Sequence, residues 1–231
     1  MLKMKVKRKI SGFFSKASGL LLVFLTMGSA KALAQDTLRT YGPRIGMDLS
    51  RAVFYFTEPR QTGVEASVDF ELIRHLYPVF ELGYNRLSEQ AEGFAYSTGG
   101  VYVRAGADYD FLSPDDRSKH HCICAGLRYG FAAFSQKAKD ISINSSYWGP
   151  YTPEDYQAQL EGHWLELVAS MKTEIFSNFF LGWSLRLKLL LNPEMDPRVR
   201  PLMIAGYGSG RENRVFGFSY GLYYKIPLLK R

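Results

Sequence analysis

The chain has 231 residues, 46% hydrophobic and 15% aromatic, with 21 glycines and 2 cysteines. That excludes a disordered chain and a disulfide scaffold, and it suffices for one substantial domain. The net charge of +7 suggests a nucleic-acid partner, but residues 1–34 hold seven cations (Lys3, Lys5, Lys7, Arg8, Lys9, Lys16, Lys31) and no acid, and the remaining 197 residues carry 22 basic and 22 acidic side chains. The basicity belongs to a leader, and no nucleic-acid partner is expected.

Residues 1–34 have the three parts of a secretory signal: a basic start, a short apolar run over 19–27 and a small-residue site at Ala32-Leu33-Ala34, with cleavage before Gln35. The run is about half of the ~20 residues a membrane helix needs. No cysteine follows it to carry a lipid anchor. Residues 35–42 read as a short lead, and 43–228 as the folded body.

In that body the hydrophobic period is two. Eight strands are predicted, taken here in order. The first, 43–56, carries Ile45, Met47, Leu49, Val53 and Tyr55. The second, 63–73, alternates Val64, Ala66, Val68, Phe70 and Leu72 with Glu65, Ser67, Asp69 and Glu71. The third, 79–87, sets Phe80, Leu82 and Tyr84 against Glu81, Gly83 and Asn85. The fourth, 100–112, sets Val101, Val103, Tyr109 and Phe111 against Arg104, Gly106, Asp108 and Asp110. The fifth, 122–134, sets Ile123, Leu127, Tyr129 and Phe131 against Gly126, Arg128 and Gly130. The sixth, 163–176, sets Leu165, Leu167, Met171 and Ile175 against Glu166, Ser170, Lys172 and Glu174. The seventh, 179–191, sets Leu181, Trp183, Leu185, Leu187 and Leu189 against Gly182, Ser184, Arg186 and Lys188. The eighth, 214–227, sets Phe216, Phe218, Tyr220, Leu222 and Tyr224 against Gly217, Ser219, Gly221 and Lys225.

Strands this long exceed the soluble mode of ~5–6 residues and suit tilted membrane strands of ~9–11 plus a rim. The connections alternate between short turns and longer loops (Ser88–Gly99, 138–162 and Pro193–Asn213). The predicted fold class is therefore an all-β, eight-stranded antiparallel up-and-down transmembrane barrel of the outer-membrane type, localised to the cell outer membrane. Outer-membrane lipid and the barrel-assembly machinery are its expected partners, and a monomer its expected state.

A soluble lipocalin-like ligand barrel has the same period with its apolar face inside. Two features favour the apolar face outside. The polar stripe is rich in glycine, which weakens strands but makes room in a narrow lumen. Aromatics (Phe80, Tyr109, Phe111, Phe179, Tyr224) gather near the short-turn rim, where an interfacial girdle would sit. The lumen would then hold a charge network of Glu65, Asp69, Glu71, Glu81, Arg104, Asp108, Arg128, Glu166, Lys172, Arg186 and Lys188. An ion path is the functional reading of that network, but filling of the lumen is favoured, because eight strands leave no aqueous channel.

The strand blocks "YGPRIGMDLS" (Tyr41–Ser50), "FELGYN" (Phe80–Asn85), "VYVRAGADYDFL" (Val101–Leu112), "GLRYGFAAFSQ" (Gly126–Gln136), "HWLELVASMKTEIFSNFFLGWSLRLKLLL" (His163–Leu191) and "GFSYGLYYKIPL" (Gly217–Leu228) together resemble a family of small outer-membrane β-barrels of uncharacterised function from Bacteroidota. The resemblance implies an extracytoplasmic barrel and supplies no activity. The chain departs from barrels in general at its end, Leu228-Leu229-Lys230-Arg231, where many carry an aromatic residue that the assembly machinery reads.

No catalytic, cofactor-binding or metal site is expected. His120, Cys122 and Cys124 share one phase of the fifth strand, with Asp115 and Asp116 nearby, but Cys-x-Cys is not zinc spacing and alternate strand residues splay. A Cys122–Cys124 bridge would sit at the upper limit of reach. A lipid-modifying enzyme would need a serine and a histidine on one face, and Ser170 and His163 fall in opposite phases. Gly206-Tyr207-Gly208-Ser209-Gly210 lacks the end of a phosphate loop and reads as a flexible connection. The most suggestive surface is Tyr147, Trp148, Tyr151 and Tyr156 on the long loop 138–162. These aromatics either form a contact patch for a sugar or protein or fold over the barrel mouth.

Overall fold

A computed structural model of the chain describes residues 40–51, 60–91, 94–112, 121–139, 143–145, 149–151, 155–196 and 198–230. The leader expected over 1–34, and with it Tyr147 and Trp148, lie outside the described residues.

Eight strands close into a barrel: β1 (Arg44–Asp48), β2 (Gln61–Asp69), β3 (Leu76–Ala91), β4 (Phe94–Asp110), β5 (His121–Lys139), β6 (Tyr156–Phe176), β7 (Phe179–Leu190) and β8 (Arg214–Lys225). Each pairs antiparallel with its chain neighbour, and β8 closes on β1 from Gly221↔Asp48 to Lys225↔Arg44. The fold class expected from the period of two is the one observed. Three short pairs lie outside the barrel: Thr40–Tyr41 with Leu229–Lys230, Ile143–Ser145 with Gly149–Tyr151, and Met203–Ile204 with Gly208–Ser209.

Turn chemistry sets the short end. Ser177-Asn178 joins β6 to β7, with Asn178 at φ 67°, a backbone that asparagine tolerates better than most residues. The Asn178 amide donates to Glu174 Oε1 at 2.6 Å. In the β2–β3 turn His75 is at φ 71° and stacks on Tyr109 with ring centres 5.7 Å apart. Phe179 packs on Tyr224 at 4.8 Å and, across the barrel, Tyr109 on Phe111 at 5.3 Å, two exposed aromatic pairs on the outside of this rim.

Alternation places every apolar stripe on the outside. Leu167 and Leu185 remain 53% and 52% exposed at mid-barrel, while Arg104 and Glu166 behind them are 1% and 0% exposed. On β6 the outward residues run Ile175, Thr173, Met171, Ala169, Leu167, Leu165 and then turn polar as His163, Glu161, Gln159 and Gln157. Ten residue steps at ~3.3 Å and a tilt of ~40° make that apolar band about 25 Å tall. Among the described residues no helix is long and apolar enough to cross a membrane.

Two expectations of extent are corrected. Ser88–Gly99 is not a loop: β3 and β4 continue pairing out to Ala91↔Phe94, and β5 and β6 out to Ala138↔Tyr156. Above the apolar band the outward residues turn polar while Tyr156, Ala158 and Leu160 of β6 and Phe134 of β5 face inward, so the apolar-out pattern stops where the hydrogen-bond ladder continues. The first strand, expected to run on to residue 56, ends at Asp48, whose carboxylate accepts the Ser50 amide at 2.9 Å and turns the chain. The result is a one-sided projection, with β3 to β6 at 16, 17, 19 and 21 residues against 12 each for β7 and β8.

Glycine on the inner stripe serves close approach. A Cβ at Gly83 would run into the Tyr102 ring, and one at Gly130 into the Trp164 indole. Gly130→Val is therefore expected to destabilise the barrel by about 1–3 kcal/mol through overpacking. Gly99→Ala, whose new methyl meets nothing nearer than 3.4 Å, should be close to neutral. Urea unfolding of the two variants checks the contrast.

Candidate functional site

Inward positions of the strands build a layered set of ion pairs. In the middle of the lumen Glu81 receives Arg104 Nε at 2.7 Å, Arg186 Nη1 at 2.8 Å and Arg128 Nη1. Glu166 receives Trp164 Nε1 at 2.7 Å, Arg186 Nη1 at 3.2 Å and Arg104 Nη1 at 3.3 Å. Glu65 pairs with Arg104 and accepts the Tyr102 hydroxyl at 2.5 Å. Asp108 holds Arg128 Nη2 at 3.0 Å. Nearer the short turns Asp69 binds Arg44 Nε at 2.5 Å through one oxygen and Lys172 Nζ at 2.6 Å through the other. The Arg44 guanidinium lies 4.8 Å from the Tyr77 ring centre, and Lys172 Nζ lies 4.6 Å from that of Tyr223.

The charges balance. Arg44, Arg51, Arg104, Arg128, Lys172, Arg186 and Lys188 face Asp48, Glu65, Asp69, Glu81, Asp108, Asp110 and Glu166, and none of these side chains is more than 17% exposed. A buried charge without a partner costs several kcal/mol, so shared pairing is the condition on which this interior exists.

Of the eleven residues expected in the lumen, ten are buried inside it (Glu65, Asp69, Glu81, Arg104, Asp108, Arg128, Glu166, Lys172, Arg186, Lys188), and Glu71 is half-buried beyond Asp69 toward the short-turn rim. Lys188 differs from the others. Its Nζ stays 3.9 Å from Glu166 and donates to the Gly206 carbonyl at 2.6 Å and the Tyr207 carbonyl at 3.1 Å. Sequence reasoning missed Arg44, Tyr102 and Trp164. Their phase was available: Arg44 shares the stripe of Gly46 and Asp48, Tyr102 that of Arg104, and Trp164 that of Glu166.

Those two carbonyls belong to a plug. The connection from Leu191 to Asn213 turns back into the mouth, and its hairpin tip buries Ile204, Ala205 and Tyr207 against Tyr102, Phe134, Trp164 and Leu190. Gly206 is at φ 74° with its α-carbon against the Tyr102 ring, so both conformation and space require glycine. The reading of residues 206–210 as a flexible connection is thus corrected. The segment is held by packing and by hydrogen bonds that its local sequence does not reveal.

A second fastening is Asp196. One carboxylate oxygen accepts Gln136 Nε2 and the Tyr156 hydroxyl, each at 2.5 Å, and the other accepts the Arg198 amide at 2.9 Å. Tyr156 is therefore engaged with the plug. Tyr151 is described only as the last residue of the short strand Gly149–Tyr151.

The remaining chemistry is sparse. Cys122 and Cys124 are buried free thiols on the inner stripe. Among the described residues no group of three His, Cys, Asp or Glu could hold a metal. His120, Asp115 and Asp116 lie outside the described residues. Ser170 faces the lumen, whereas His163 is on the outer face with its Nδ1 2.6 Å from the Tyr129 hydroxyl, so the two cannot form a nucleophile–base pair.

Burial pushes the Asp196 carboxyl up, but the hydrogen bonds from Tyr156, the Arg198 and Val199 amides and Gln136 outweigh it and hold the group below its ordinary range. The sign follows: the fastening is complete above the ordinary carboxylate range and is lost as pH falls through the lowered value. Amide protection over 191–202, taken relative to the intrinsic exchange rate at each pH, should fall on acidification in the wild type. Asp196→Asn should show faster exchange already at neutral pH and no further acid step there.

Solved structures with this architecture are dissimilar in sequence. A major outer membrane protein from Thermus thermophilus superposes with a TM-score of 0.51 at 11% identity, covering 81% of this chain and 98% of that one. Ail, the attachment invasion locus protein of Yersinia pestis, gives 0.45 at 10% identity, covering 81% and 100%. Neisserial surface protein A gives 0.41 at 13% identity, covering 80% and 94%. These likenesses concern the fold. No curated protein matches the chain. Residues 10–231 match a family described as "Domain of unknown function (DUF6048)", and the chain belongs to that family.

Proposed function

We propose that the chain is a non-enzymatic outer-membrane β-barrel that contributes to envelope structure or binds partners at the cell surface through its outer loops. Its lumen is filled by ion pairs and stoppered by the 191–213 segment. The observation that carries this reading is the division of faces. Charged and hydroxyl side chains fill the inside, and an apolar band about 25 Å tall, bounded by aromatics, covers the outside. A soluble ligand-binding barrel needs the opposite arrangement. The leader over 1–34 supplies export, the barrel-assembly machinery insertion, and outer-membrane lipid the surrounding solvent. The resemblance of the strand blocks favours a Bacteroidota envelope. Tyr147, Trp148 and Tyr151 are the contact residues we assign to the outer loop. A filled lumen and the separation of Ser170 from His163 both argue against lipid chemistry.

The test is the electrophoretic mobility of the outer-membrane fraction with and without boiling. A barrel with no free sheet edge stays folded in cold detergent and shifts on heating. Recovery of the mature chain as a periplasmic protein that needs no detergent would overturn the reading. In reversible urea unfolding from lipid vesicles Leu185→Arg should lower stability by about 2–4 kcal/mol at mid-band, and Glu161→Arg by about 0–1 kcal/mol above it.

A further inference from the structure

Between the two layers of ion pairs the lumen is not completely filled. A cavity with roughly 10 Å³ of freedom for the centre of a water-sized sphere lies among the hydroxyls of Ser67, Ser170, Ser184 and Tyr223. That is enough for one small guest. Ser170 is 6% exposed, and among the described residues its Oγ has no hydrogen-bond partner. A buried hydroxyl left unsatisfied is costly and points to an occupant.

The chemistry of the wall says what kind of occupant. Two carboxylates reach the cavity, Asp69 and Glu81, and both are saturated. Asp69 holds Arg44 and Lys172, and Glu81 holds Arg104, Arg128 and Arg186. Three cations line the space, Arg128, Lys172 and Arg186, each held by a carboxylate, but among the described residues Arg128 Nε, like Ser170 Oγ, has no hydrogen-bond partner. What the wall offers a guest is hydrogen-bond donation. A cation would meet only engaged carboxylates.

We propose that this cavity is a binding site for a small monovalent anion of chloride's size, seated on the Ser170 hydroxyl and beside Lys172 and joining the two layers of ion pairs. Ser67 and Tyr223 are half-buried on the short-turn side of the cavity. The site is independent of any surface ligand at the outer loops. Its occupant is an inorganic ion that accepts from buried donors the lumen leaves unsatisfied.

The experiment uses the full mature barrel in detergent micelles. Crystals grown or soaked in bromide should show an anomalous peak within hydrogen-bond distance of Ser170 Oγ. Unfolding temperature should rise by a few degrees when gluconate is replaced by chloride or bromide at equal ionic strength, since a ligand bound only by the folded state stabilises it. Ser170→Ala should lose most of that rise. Ser170→Asp, which brings its own carboxylate into the cavity, should be insensitive to halide. No bromide peak in the cavity, whether or not peaks occur on the surface, would overturn the proposal and leave the space to a water molecule. Equal stability in chloride and gluconate would do the same, and the wild-type measurements decide even where a variant fails to fold.

Discussion

Pairing of buried charge is the constraint on which the rest of this structure depends. An eight-stranded barrel encloses a space just wide enough for side chains. Here that space is occupied by Glu65, Glu81, Glu166, Arg104, Arg128 and Arg186, carried on β2 through β7. Each carboxylate is shared by more than one guanidinium, so none of these six strands can shift register without stranding a charge. A one-residue slip would turn the stripe of Arg128 outward and that of Leu127 inward. The ion pairs thus fix register and facing together, and the apolar stripe goes outside because the inside is already committed.

The same interior explains the glycines and the plug. Arginine and tryptophan are long, and their rings and forks cross the lumen over neighbouring strands. Gly83 and Gly130 leave the space into which Tyr102 and Trp164 lie. Those two rings in turn form the floor on which Ile204 and Tyr207 sit. Above the apolar band the projecting sheet of β4, β5 and β6 supplies the wall, with Tyr96, Gln136 and Tyr156 fastening the segment from the side. Charge core, aromatic floor and plug form one continuous packing from the short turns to the mouth.

Much of this was legible in the sequence, because a period of two is read directly from alternating residues. Strand number, facing and most of the lumen charges follow from it. Three things did not follow. The projecting ends of β4 to β6 reverse the pattern, with Tyr96, Phe134, Ala138 and Leu160 facing in and Lys137, Gln159 and Glu161 facing out, so the apolar-out alternation that marks the band stops where the backbone ladder goes on. Arg44 shares the stripe of Gly46 and Asp48, and only its place as the first residue of the strand, behind Pro43, hides it. The plug could not be read at all. Its tip is held by Lys188 and by rings from three strands, all distant in sequence, and Gly206-Tyr207-Gly208 looks locally like any flexible loop.

The central claim, that paired charges form the core of the barrel, is tested most directly by a double-mutant cycle on Glu81 and Arg186. Each single methionine replacement strands its partners in a dry interior and should cost about 3–5 kcal/mol. The double replacement removes both charges and should cost clearly less than the sum, with a coupling of about 2 kcal/mol or more in reversible unfolding from lipid vesicles. Two small and additive losses would contradict the account, because they would mean that water rather than pairing solvates the lumen charges.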